Sequence, residues 1–110
     1  MKTSNYAKKN IDKNAVSIAA RCPSWFKGRE YKKLAPNYSF FIRYKKDGDE
    51  EAYTKSFYRE ILDMLDAKQV FEELGENAIL LCYESAGKFC HRRIVAEWFE
   101  KELGIKVEEI

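Results

Sequence analysis

A chain of 110 residues holds one hydrophobic core and leaves no room for a catalytic domain beside a separate substrate domain. Hydrophobic residues at 45% and charged residues at 35% exclude a disordered or fibrous chain. A formal charge of +2 permits contact with nucleic acid without arguing for it, because dedicated binders concentrate basic groups on one face.

The N-terminal MKTSNYAKKN lacks the apolar stretch of a signal peptide, and no apolar run approaches the roughly 20 residues that cross a bilayer. With three cysteines, an odd number, a full disulfide framework is not expected, although one bridge stays open. The expectation is a cytoplasmic protein with no membrane partner. Ala15 to Ala20 (AVSIAA) reads as a buried strand that ends at Arg21, Cys22 and Pro23, since proline drives the residue before it out of helical geometry. The connection SWFKGREYKKLAPNY is punctuated by Gly28 and Pro36 and leaves room for a short helix. It sets Pro23, Trp25 and Phe26 among Lys27, Arg29, Lys32 and Lys33, a mixture that suits a nucleotide or single-stranded nucleic acid and equally suits a lid with an apolar underside.

From propensity alone, Tyr38 to Tyr44 (YSFFIRY) reads as a strand. Glu50 to Leu74 is helical: Tyr53, Phe57, Tyr58, Ile61, Leu62 and Leu65 recur at spacings that make one apolar stripe, which is scaffold. Asp66 with Gln69 resembles a capping box, so the helix breaks there, restarts as Ala67 to Leu74 and stops at Gly75. Ala78 to Tyr83 is a central strand and a Gly-bearing loop follows it. Phe89 to Leu103 is a helix burying Ile94, Val95, Trp98, Phe99 and Leu103, Gly104 ends it, and Ile105 to Ile110 is a last strand with Ile105 and Val107 on one side. Strand, helix, strand implies a right-handed crossover and a parallel pair. The fold class is therefore α/β: a small parallel-sheet, Rossmann-like single domain with helices packed on the sheet.

Several of these residues together resemble a known family: the strand followed by Arg21 to Trp25, the basic linker ending in Leu34, Ala35 and Pro36, the helix opening near Glu51 to Tyr53, and above all Leu81-Cys82-Tyr83-Glu84, Phe89-Cys90-His91-Arg92 and Ala96-Glu97-Trp98. Over nearly its whole length the chain is similar to domain of unknown function 488. The resemblance implies a compact α/β domain with a small parallel sheet and no firmly assigned activity. It also implies a helix, not a strand, over Asn37 to Lys46. The family's strand-end arginine is matched here by Ala20, with Arg21 beside it.

The helix opening at Cys90 presents amides without intrahelical partners and a positive dipole end, which welcomes an anion and lowers a thiol pKa. Cys90 is the candidate nucleophile. His91, the one histidine, neighbours it, but adjacent helical residues point about 100° apart, so Glu84 is the expected partner of the imidazole. Cys82 reads as a buried core residue. The phosphatase pattern of Cys, five residues, then Arg fails, because it lands on Lys88 from Cys82 and on Ala96 from Cys90. Cys22, Cys90, His91 and Glu84 could surround zinc, but without the spacing of a dedicated site, and no metal is expected.

The expected site thus places Cys90, His91 and Glu84 in the catalytic role, with Arg92, Arg93, Arg21, Pro23, Trp25 and Tyr83 binding the ligand at the carboxyl ends of the strands. The leading function is binding, and in an enzyme version modification, of a small anionic or phosphorylated ligand such as a nucleotide or nucleic-acid base. The rival is a non-catalytic module contacting a protein or nucleic-acid partner. Cofactor and oligomeric state are unknown at this level.

Overall fold

The structure is a computed structural model that describes residues 1–84 and 88–110, so the loop expected after Glu84 lies largely outside the described residues. Its organising strand is β4 (Ile79–Cys82), where the most apolar run of the chain, ILLC, is buried at every position. Strand β2 (Ala15–Ser17) lies on one side of it and β1 (Lys2–Asn5) on the other. With β3 (Arg29–Glu30) and β5 (Glu108–Glu109) they form a five-stranded sheet of order β3-β2-β4-β1-β5, parallel at every pairing. Asn5 stands opposite Cys82 and Ser17 opposite Leu81. The carboxyl ends of the three inner strands therefore finish together, at the edge where an open parallel sheet gathers its ligands.

Sequence reading missed β1 because its residues, KTSN, are polar. Thr3, Ser4 and Asn5 are nonetheless buried, and each has a partner. The Thr3 hydroxyl donates to Glu109 at 2.5 Å, the Ser4 hydroxyl donates to the Ile110 carbonyl at 2.9 Å, and the Asn5 side chain caps helix α1 (Tyr6–Lys9) by accepting from the Lys8 amide. Burial of such groups is tolerable only when they are hydrogen-bonded. The last strand accordingly pairs with β1 and not with β4: the β4 to β5 connection yields parallel strands, but they are not neighbours.

Residues Tyr38 to Tyr44 are helical, within α2 (Tyr38–Asp47), against their strand propensity and in line with the family resemblance. Tertiary packing decides this, because Phe40 enters the core edge-on to Tyr53 at 5.2 Å and to Phe57 at 6.1 Å. Gly48, in the left-handed region at φ 64°, ends α2 by returning its amide to the Tyr44 carbonyl at 2.8 Å. Helix α3 (Glu50–Glu60) stops earlier than expected, and a 3₁₀ turn at Leu62–Met64 precedes α4 (Ala67–Leu74). Asp66 does cap α4, accepting from the Lys68 and Gln69 amides, while the Gln69 side chain reaches forward to Glu73 instead of completing a capping box. Helix α5 (His91–Leu103) packs on the sheet, and the core lies between them around Leu80, Val95, Phe99, Phe57 and Leu34. Among the described residues, no helix is long and apolar enough to cross a membrane.

Candidate functional site

A cavity of about 620 Å³ opens at the carboxyl ends of β2 and β4. Cys82, at the end of β4, and Cys90 and His91, at the start of α5, line it together with Tyr83, Glu84 and Arg21. Helix α2 covers the other side and brings Tyr38, Phe41 and Lys45. These three recur at spacings of three and four, so they share one face of the helix. Sequence reading overlooked them because nothing local to the segment shows that this face of α2 covers the ends of β2 and β4.

Cys90 is the N-cap of α5 and has extended backbone, φ −157° and ψ 148°. The rule that helical neighbours diverge therefore does not apply to it, and its Sγ lies 3.8 Å from His91 Nδ1. The other ring nitrogen, Nε2, is 2.7 Å from the Ile18 carbonyl. A carbonyl only accepts, so Nε2 carries the hydrogen and Nδ1 turns its lone pair towards the sulfur. The imidazole is thus oriented by the backbone at the end of β2 and not by Glu84, which is exposed at the cavity rim. Burial, together with the nearby Arg92 charge and against the Ile18 hydrogen bond, lowers the His91 pKa to about 4. His91 is therefore neutral at pH 7.

Cys82 and Cys90 are joined as a disulfide, and Cys22 is the free cysteine. Arg92 is completely buried. Its guanidinium donates to Cys82 Sγ at 3.1 Å and meets both oxygens of Glu109, with the shortest contact at 2.7 Å. This bidentate pair works against the cost of burying the charge. For Glu109, burial raises the pKa, but the hydrogen bonds from Arg92 and Thr3 and the charges of Arg92 and Arg93 outweigh it and hold the carboxyl low. Arg93 reaches the same β1–β5 pair, donating to the Thr3 hydroxyl at 2.9 Å and to the Val107 carbonyl at 3.1 Å.

Of the residues expected at the site, the structure brings Arg21, Tyr83, Glu84, Cys90 and His91 to one cavity. Arg92 stands behind its cysteine wall, and Arg93 clamps the β1–β5 edge. Pro23 and Trp25 lie outside the cavity. Trp25 meets Tyr6 edge-on at 6.2 Å, Tyr6 meets Tyr83 at 5.0 Å, and the Tyr83 hydroxyl donates to the Arg21 carbonyl at 2.6 Å, so the turn that bears Trp25 supports the cavity wall. Cys82, Cys90 and His91 also place possible metal-ligating atoms within 4.8 Å of one another, all buried. The two sulfurs are bonded to each other and the Cys82 sulfur faces the Arg92 guanidinium, whose positive charge disfavours a cation beside it.

A family model described as "Active DUF488-N3 subclade" matches residues 3–103. No curated protein and no solved structure matches the chain.

Proposed function

The chain belongs to the DUF488 family, and we propose that its cavity binds a small anionic ligand with an aromatic ring, of the nucleotide class. The observation that carries this reading is the lining itself. Two cations, Arg21 and Lys45, stand with Tyr38, Phe41 and Tyr83, all five at least partly exposed, around the N-terminus of α5. A phosphate is met by the cations and the positive helix end, while a base stacks on the aromatic faces. The volume lies within the range of small-molecule sites, about 300–1,000 Å³.

In the catalytic version of this reading, Cys90 in its reduced form attacks the bound ligand. The neutral His91 accepts the thiol proton at Nδ1, and Glu84 at the rim takes part in proton transfer with the leaving group. The word "active" in the description of the matching subclade favours this version over a non-catalytic module.

Isothermal titration with adenosine monophosphate, adenosine and inorganic phosphate tests the binding. The nucleotide should bind more tightly than either fragment, and Arg21→Ala and Lys45→Ala should each weaken it roughly tenfold, the worth of one charge-assisted contact. Absence of nucleotide binding, or binding that neither substitution changes, contradicts the reading.

A further inference from the structure

We propose that Cys82 and Cys90 are a reversible dithiol–disulfide couple that exchanges with low-molecular-weight thiols entering the cavity, with Cys90 as the sulfur attacked and Cys82 as the leaving thiolate. Four observations converge on it. The two cysteines are bonded, and both line the same cavity, so a small thiol has a route to them. Cys90 is the more accessible of the two, at 8% against 1% for Cys82. The Arg92 guanidinium donates to Cys82 Sγ at 3.1 Å, which stabilises negative charge on that sulfur and makes it the better leaving group. His91 Nδ1, with its lone pair, faces the Cys90 sulfur that must carry a proton in the reduced form.

The exchange proceeds in two steps. A thiol RSH loses its proton to solvent and attacks Cys90 Sγ. The Cys82–Cys90 bond breaks, a Cys90–S–S–R mixed disulfide forms, and Cys82 departs as a thiolate beside Arg92. A second RSH attacks the sulfur of R, the disulfide RSSR leaves, and its proton remains on Cys90. The protein disulfide and two thiols thus become one thiolate, one thiol, RSSR and a released proton. The reverse sequence, driven by RSSR, closes the bond. Cys22 is a bystander: burial and Glu30 raise its pKa, so little of it is thiolate at neutral pH.

The full chain is equilibrated in buffers of reduced and oxidised glutathione, quenched with acid, alkylated, and read cysteine by cysteine by peptide mass spectrometry. Cys82 and Cys90 should lose alkylation together in one transition, while Cys22 responds separately. Cys82→Ser should accumulate a glutathione adduct on Cys90, and Cys90→Ser should leave Cys82 largely unmodified. Independent oxidation of the two thiols, adducts that favour Cys82, or reduced protein holding one equivalent of zinc that shields both from alkylation would overturn the proposal. No nucleotide enters the experiment, so its failure leaves the ligand reading untouched.

Discussion

His91 is buried at the start of α5 and stays neutral at pH 7. The sequence places it beside Cys90, and the structure keeps it there, but its partner is a main-chain carbonyl. A contact with Ile18, 73 positions away, leaves no trace in local spacing. Its titration has a direct consequence for stability. The native pKa is about 4, below the ordinary 6.5, so between these values the unfolded chain binds a proton that the native protein does not. The stabilisation is complete above about pH 6.5 and declines as pH falls towards 4, by roughly 3 kcal/mol over the window. In urea unfolding, the wild type should lose about that much between pH 7 and pH 4, and His91→Gln should lose much less. Equal slopes for the two proteins would contradict a neutral buried imidazole.

At the scale of the element, strongly patterned segments are legible and compromised ones are not. Strand β4 and helix α5 declare themselves through an unbroken apolar run and a helical stripe with a terminal glycine. Helix α2 does not, because its aromatic residues favour strands and only Phe40 is fully buried. The error would have cost the face that carries Tyr38, Phe41 and Lys45. Strand β1 is invisible for a related reason: its Thr3 and Ser4 hydroxyls are satisfied by Glu109 and Ile110, more than a hundred residues away. Capping, by contrast, is local chemistry, and Asp66 was recognisable from the sequence. Asp66→Ala should cost about 1 kcal/mol in urea unfolding, with no change in cavity binding. A cost near zero would mean that the turn before α4 holds without its cap.

Across the whole molecule, the two ends of the chain close on each other beside the site. Glu109 receives Thr3, Arg92 and Arg93, and Arg92 in turn reaches Cys82 in the cavity wall. The C-terminal strand thereby supports the cavity wall through Arg92 without lining that cavity itself. Glu109→Ala removes the carboxylate from a fully buried guanidinium and should destabilise the protein by about 3 kcal/mol. A loss below about 1 kcal/mol, the value of an exposed pair, would contradict that role. The candidate site was placed at the carboxyl ends of the strands from the strand, loop and helix that run from Ala78 to Leu103, whereas the composition of the cavity walls depended on which helix covers it.

Nucleotide binding at this cavity is tested most directly by an amide chemical-shift titration of the labelled protein with adenosine monophosphate. A second cavity of about 380 Å³ lies at the opposite, amino-terminal edge of the sheet, around Asn14, Arg29, Glu76 and Ala78, and carries none of the aromatic and thiol groups. Binding in the cavity should shift Ala19 to Arg21, the Tyr38, Phe41 and Lys45 face, and Cys90 and His91. Shifts confined to the opposite edge, or none at millimolar nucleotide, would contradict it.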